Sequence, residues 1–205
     1  MQVQNLSFSY PGRHVFSGFS HDFGPGLTWL RGRNGCGKST LLQLLCGALA
    51  PTAGALAVGA VHLATQPLAY RQAVFWCGPG PVVFDHLSPS EYFGFMRSLY
   101  PCVDEAALGQ HVGGLGLTPF IDKPLCTLSS GTQRKVWLAM ALSAGATVTL
   151  MDEPLNALDA ASCAYFLDAL QQCAQHPDRS WIVTSHEDLG TAAKLAQILE
   201  LTLLS

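Results

Sequence analysis

The stretch Gly32-Arg33-Asn34-Gly35-Cys36-Gly37-Lys38-Ser39-Thr40 decides the fold. It fits the pattern G-x-x-x-x-G-K-[ST] and follows a short apolar run, Leu27-Thr28-Trp29-Leu30. The segment from Ser39 to Cys46 has helical apolar spacing, with Gly47 as its stop. Strand, glycine-rich loop and helix in this order make a phosphate-binding loop: glycines let the main chain wrap an anion, and successive N–H groups and the helix N-terminus face it. Lys38 adds a positive charge at the β/γ-phosphates, and the Ser39 hydroxyl is placed to hold Mg²⁺. Kinases, GTPases, motors and transporters share this element, so alone it specifies a nucleotide binder and no more.

Upstream of the loop, Leu6, Phe8 and Tyr10 alternate with polar neighbours and end at Pro11-Gly12, which predicts a half-buried strand entering a hairpin. A second strand pair is expected around Val15 to Phe23, and residues 52–63 alternate weakly and return to the first strands. Downstream, Ser88-Pro89-Ser90-Glu91 has capping-box spacing and opens a helical insertion at about 85–135, which runs through Tyr92–Tyr100 and Val103–Leu117 and closes before Leu125. A long helix follows from about Gly131 to Ser143. Val148–Met151 and Trp181–Thr184 read as buried parallel strands around an alanine-rich helix at 160–174, with Ile198–Leu204 as a last strand. The expected architecture is one α/β domain with a parallel core sheet, an N-terminal antiparallel β subdomain and a helical insertion.

Charge and composition narrow the partners. With 11 basic and 14 acidic residues the net charge is -3, which argues against nucleic acid as the partner. Hydrophobic residues make up 49% of the chain and charged ones 12%, against roughly a quarter in an average domain, so the core is large and a protein partner is a physical outlet for the excess apolar surface. Leu41–Tyr70 lacks charge but is broken by Gly47, Pro51, Gly54 and Gly59, so it is not read as a membrane span. The N-terminus lacks the basic start and apolar run of a secretory signal, so the chain is expected to stay in the cytoplasm. Seven cysteines form no C-x-x-C pair, and most are expected to be small core hydrophobes. Cys36, inside the phosphate loop and near Lys38, is expected to be more reactive than the core cysteines.

Two further stretches carry chemistry. Leu150-Met151-Asp152-Glu153-Pro154 ends an apolar strand in two carboxylates: Asp152 in reach of the Mg²⁺ shell, and Glu153 facing the γ-phosphate, where it orients or deprotonates water. Leu128-Ser129-Ser130-Gly131-Thr132-Gln133 opens a helix whose exposed amides and serine hydroxyl form an anion site, with Arg134 and Lys135 in its first turns.

With these motifs in order, the sequence resembles the ATP-binding subunits of ABC transporters over nearly its whole length. Gly32–Thr40 looks like Walker A, Leu128–Thr132 like the signature motif, and Met151–Pro154 like the end of Walker B. Asn156-Ala157-Leu158-Asp159 looks like the D-loop, Thr184-Ser185-His186 like the switch histidine, and Tyr10 stands where the family has an aromatic on adenine. The short length and the signature look most like the haem-exporter-type subunit of cytochrome c maturation. The resemblance implies ATP with Mg²⁺ as ligands and a second cassette, identical or not, paired head to tail over two ATP molecules. Ser129, Ser130, Gly131 and Thr132 then act across the interface. It also implies a separate transmembrane subunit, holding the chain on the cytoplasmic face of the membrane.

The sequence departs from the family where a glutamine is expected at the entry to the insertion. Phe75-Trp76-Cys77-Gly78-Pro79-Gly80-Pro81 puts Pro79 or Gly80 there, and Ser130 and Thr132 replace the commoner glycine and glutamine of the signature. Slower turnover rather than none is expected, since Lys38, Asp152, Glu153 and His186 are present. Val82-Val83-Phe84 is expected to help dock the membrane subunit. The alternatives are a non-transport ABC ATPase and a weakly hydrolysing partner of a more active cassette.

Overall fold

The computed structural model describes residues 1–78, 84–186 and 189–202, with Thr191, Ala193 and Leu195 described by main chain alone. Two sheets organise the chain. In the first, β1 (Gln2–Tyr10) pairs antiparallel with β2 (Arg13–Asp22) across the Pro11-Gly12 turn and, on its other side, with β4 (Ala53–Val58), which in turn pairs with β5 (Val61–His62). The alternation in β1 buries Leu6 and Phe8. A single β2 replaces the strand pair expected at Val15–Phe23. It runs beside β1 from Tyr10↔Arg13 to Gln2↔Asp22, and register shifts absorb the mismatch between two long strands.

The second sheet is parallel, in the order β6-β7-β8-β3-β9. Its members are β3 (Gly26–Arg31), β6 (Val74–Cys77), β7 (Val148–Asp152), β8 (Ser180–Thr184) and β9 (Ala196–Glu200). Every residue of β7 and β8 is buried, as expected for strands covered on both faces. The last strand begins at Ala196 rather than Ile198 and ends at Glu200, where its pairing with β3 stops at Arg31; Leu203 and Leu204 lie outside the described residues.

The helices are α1 (Lys38–Leu45), α2 (Pro67–Ala73), α3 (Pro89–Leu99), α4 (Glu105–Gly114), α5 (Ser130–Ser143) and α6 (Ala160–Cys173). Strand β6 and helix α2 were not anticipated. At α3 the capping box is complete: Glu91 N–H donates to Ser88 Oγ at 3.3 Å, and Ser88 N–H donates to Glu91 Oε2 at 2.8 Å. The hydrogen bonds that the Ser88 N–H and hydroxyl donate to Oε2 hold the Glu91 carboxyl below its usual value. Between α3 and α5 lie α4 and two 3-10 turns, Thr118–Phe120 and Leu125–Thr127.

One core lies between the parallel sheet and α3–α6, around Phe75, Met140, Phe166 and Trp181. A second lies between the two sheets and α1, around Leu6, Phe23, Leu42 and Ile182. A side chain such as Phe166, with no exposed surface, contributes about 2–3 kcal/mol by leaving water. Of the seven cysteines only Cys36, Cys46 and Cys77 are buried. Cys163 and Cys173 are half-buried, and Cys102 and Cys126 are exposed, so fewer than half serve as core hydrophobes.

His111 of α4 is buried, with Nδ1 3.0 Å from the Tyr165 hydroxyl of α6. Burial lowers its pKa, with Asp104 opposing weakly. A histidine whose folded pKa lies below the unfolded value of about 6.5 costs nothing above that pH, whereas below it the unfolded chain takes up the proton first. Stability is therefore expected to fall as the pH drops below about 6.5. In thermal melts from pH 8 to pH 5, His111→Asn should remove part of that fall; parallel pH curves for the two proteins would contradict the assignment.

Candidate nucleotide site

The phosphate loop leaves β3 at the C-terminal edge of the parallel sheet and enters α1 through Gly37, whose φ of 104° lies in the left-handed region. A Cβ at Gly37 would stand 2.9 Å from Val15 Cγ1 and 3.1 Å from Phe16, so the loop also relies on the missing side chain to close against β2. Lys38 is buried, and its ammonium spans the loop, donating to Gly32 O at 2.8 Å and to Arg33 O at 3.4 Å. Both are main-chain carbonyls, which an incoming phosphate would have to displace as partners of Nζ.

A cavity of about 310 Å³ opens over this loop. It brings together Tyr10, Asn34, Gly35, Gly37, Lys38, Ser39, Thr40, Asp152, Glu153 and His186, residues from four separate regions of the sequence. Gly32, Arg33 and Cys36 do not line it; they face a neighbouring cavity of about 800 Å³, which also includes Trp29 and His186. The phosphate-facing cavity is the smaller of the two, and its chemistry rather than its size makes it the candidate. Cys36 is only 3% exposed and belongs to the core cluster between the sheets. The heightened reactivity expected of a loop thiol is therefore corrected: Cys36 is as buried as Cys46 and Cys77, and its position in the loop does not expose its sulfur.

Tyr10 ends β1 and is 40% exposed, its ring edge-on to Phe8 at 4.9 Å and its hydroxyl 3.5 Å from Thr40 Oγ1. Arg13, across the hairpin turn, also lines the cavity and donates to Gly35 O at 2.5 Å. It was not singled out in the sequence, because an arginine after a Pro-Gly turn carries no pattern.

The two carboxylates at the end of β7 are held differently. Asp152 is buried, and its Oδ1 accepts from Thr184 Oγ1 at 2.6 Å, while among the described residues no donor reaches its buried Oδ2. Glu153 turns out of the strand at φ 49°, an uncommon left-handed conformation for a side-chain-bearing residue that surrounding contacts must enforce. Its N–H donates to Thr184 Oγ1 at 2.9 Å and Thr184 O at 3.2 Å. Thr184 thus fixes both residues from the neighbouring strand, a role that a threonine at a strand end does not advertise. Glu153 Oε2 accepts from the His186 main-chain N–H at 3.1 Å, and His186 Nε2 stands 3.2 Å from Oε1. Apart from that contact, no hydrogen bond reaches Oε1 from the described residues. Glu187 and Asp188, which follow the histidine, lie outside the described residues, as do Pro79, Gly80, Val82 and Val83.

Ser129, Ser130, Gly131 and Thr132 do not join this cavity. They form the N-terminal tip of α5, where Ser129 caps the helix by accepting from Thr132 N–H at 3.2 Å and Ser129 and Ser130 are exposed. A Cβ on Gly131 would come 2.5 Å from Ala157 O, so the tip packs tightly on the turn before α6. Asp159 in that turn caps α6 by accepting from Ser162 N–H at 2.8 Å and pairs with Lys135 at 2.6 Å. The Lys135 hydrogen bond, with the cap donors from Ser162, drives the Asp159 carboxyl far below its usual value. Lys135 is thereby engaged within the chain. Arg134 turns inward, toward the end of β7, instead of standing beside the tip.

A loop of this form on a parallel sheet, with a strand-end carboxylate pair facing it, defines a phosphate-loop nucleotide hydrolase. The chain belongs to the ABC transporter family: that family's model matches residues 18–156, more than half of the sequence. It is an ATP-binding subunit with ATPase activity. The cytochrome c biogenesis ATP-binding export protein CcmA of Pseudomonas syringae pv. syringae is 33% identical over 193 residues, covering 93% of this chain and 89% of that protein. The protein of the same description from Yersinia pestis is 30% identical over 196 residues, covering 94% and 88%. Among solved structures, an ATP-binding subunit of an ABC transporter superposes with a TM-score of 0.87 at 22% identity, covering 98% of this chain and 85% of that one. A bacterial Atm1-family ABC exporter with ATP bound gives 0.82 at 22% identity, covering 98% of this chain and 36% of that one. The expected fold, a parallel core sheet with an antiparallel N-terminal sheet, is thus that of the ABC ATPases.

Proposed function

We propose that this chain binds ATP with Mg²⁺ in the cavity over Lys38, pairs head to tail with a second cassette, and drives a separate transmembrane subunit of a cytochrome c biogenesis exporter. The single observation that carries the site reading is the convergence of Lys38, Ser39, Asp152, Glu153 and His186 on one cavity. Among the described residues no helix is long and apolar enough to cross a membrane, so the membrane step is assigned to the partner. Residues of about 85–135 form the insertion through which that partner is felt, and the chain then sits on the cytoplasmic face.

The donor set fits Mg²⁺. Asp152 Oδ2 is a buried carboxylate oxygen with no donor among the described residues, and the hydroxyl-bearing Ser39 is exposed in the same cavity, two hard oxygens of the kind this ion takes. When bound, Mg²⁺ neutralises charge that develops on the β- and γ-phosphates. Lys38 exchanges the Gly32 and Arg33 carbonyls for phosphate oxygens, and the main-chain N–H groups of Asn34–Thr40 surround the anion. Tyr10 offers an exposed ring face to adenine. Glu153 accepts the proton of the attacking water at Oε1, and His186 holds that carboxylate from both its main chain and its ring. Ser129, Ser130, Gly131 and Thr132 meet the γ-phosphate of the partner's nucleotide, and Asp159 keeps the adjoining turn in place beside them. ATP thereby holds the two chains together until hydrolysis removes the γ-phosphate.

The relatives' description points to the cargo pathway, with haem as the exported group in the resemblance. Disrupting the gene in its host and complementing with wild-type or Glu153→Gln protein tests this. The expected result is loss of c-type cytochromes in the disruptant, restoration by wild type alone, and recovery of the tagged chain from detergent-solubilised membranes with an integral membrane protein. Normal cytochrome content, or a chain recovered without a membrane partner, would favour a non-transport ATPase instead.

A further inference from the structure

Arg134 carries a full positive charge at 8% exposure, and among the described residues its acceptors are all main-chain carbonyls. Nη2 donates to Asp152 O and to Glu153 O, each at 2.6 Å, and Nε to Pro154 O at 3.4 Å. Nη1 donates to Gly78 O at 3.0 Å. Three of the four acceptors are consecutive, and they are the residue before Glu153, Glu153 itself and the residue after it. The fourth lies just past the end of β6, where the chain leaves the sheet for the helical insertion. Arginine is suited to this set, since its planar fork presents five N–H donors in fixed directions, whereas a lysine supplies one ammonium.

The peptide being gripped is also the irregular one. Glu153 adopts φ 49°, and a left-handed residue with a side chain persists only where contacts over-determine it. Thr184 holds the N–H side of that residue and Arg134 holds the carbonyl side. Arg134 also sits on the same helix as the Ser129–Thr132 tip, in the turn that follows its exposed serines Ser129 and Ser130. We infer that Arg134 is the positioning residue for hydrolysis: it sets the main-chain conformation that aims the Glu153 carboxylate and ties that aim to the end of β6 and to the tip of α5. A shift at either end reaches the carboxylate through one guanidinium group.

This inference rests on Glu153 being the general base, and the experiment separates the two. ATP hydrolysis and ATP affinity are measured on the full chain in its membrane assembly for Arg134→Met, Arg134→Lys, Glu153→Gln and the Arg134→Lys/Glu153→Gln double variant, with thermal melts on each. Misaiming a reacting group by about 1 Å can cost about a hundredfold in rate. Arg134→Met is therefore expected to lower kcat by about that factor with KM for ATP within about twofold, and Arg134→Lys to recover part of the loss. In the Glu153→Gln background Arg134→Lys should change the residual rate by less than about twofold, because a misaimed side chain that no longer accepts a proton has little left to lose. If Arg134→Met does not fold, the Lys variant and the double variant carry the test. A folded Arg134→Met or Arg134→Lys with wild-type kcat overturns the inference, as does a loss of kcat that tracks ATP affinity and melting temperature, or full additivity in the double variant. Wild-type hydrolysis by Glu153→Gln would instead overturn the assignment of the base.

Discussion

Glu153→Gln is expected to lower kcat for ATP hydrolysis by about a hundredfold or more, while KM for ATP changes by less than about threefold. Glutamine keeps the size of the side chain and one carbonyl oxygen able to accept the His186 N–H, so the arrangement around 3.1 Å survives. What it loses is the capacity to take a proton from water, and general-base catalysis contributes about 10²–10⁴-fold. The substitution lies on a side chain that is 15% exposed and already held by Thr184 and Arg134 at its main chain, so the fold should tolerate it. Steady-state phosphate release beside an ATP-binding titration checks both halves. Equal turnover for the two proteins would mean that another group handles the proton.

The variant is informative because the carboxylate was legible in the sequence while its support was not. Two acidic residues closing the apolar run Val148–Met151 mark a strand end facing a phosphate loop, and the residues between Gly32 and Thr40 identify that loop by spacing alone. Helix caps at Ser88 and Ser129 were similarly readable, since capping is a local interaction between neighbours three residues apart. Thr184, Arg13 and Arg134 act through contacts 18 to 56 positions away in the chain, which no local pattern encodes. The direction in which a helix-borne arginine turns depends on what lies beneath it, here the carbonyl row of Asp152–Pro154. Strand β6 escaped notice because four residues, Val74–Cys77, are too few for periodicity to speak. The burial of Cys36 was hidden for a related reason: within a glycine-rich loop, sequence does not say which side chains point to the anion and which to the core.

The second large effect concerns the tip of α5. Ser129→Arg is expected to abolish ATP-dependent pairing of two chains and to reduce hydrolysis at least as far as Glu153→Gln does, while leaving ATP binding by the single chain in place. Ser129 is exposed and stands apart from the chain's own nucleotide cavity, so a long cationic side chain there meets solvent in the monomer. At an interface over a partner's γ-phosphate it meets packed atoms instead. The substitution also removes an N-cap, which costs about 1 kcal/mol, and a melt is needed to show that the loss of activity exceeds this modest change. Gly131 is a poorer choice for the same purpose, because any side chain there collides with Ala157 O at 2.5 Å within the chain itself.

The most direct measurement is the molar mass in solution of the Glu153→Gln protein, by sedimentation or light scattering, with and without MgATP, alongside the same protein carrying Ser129→Arg. Slow hydrolysis should trap the nucleotide-bound pair, so a doubling of mass on adding MgATP is predicted for the first protein and none for the second. A mass indifferent to MgATP, or a nucleotide-dependent pair that forms equally well with arginine at position 129, would contradict the account.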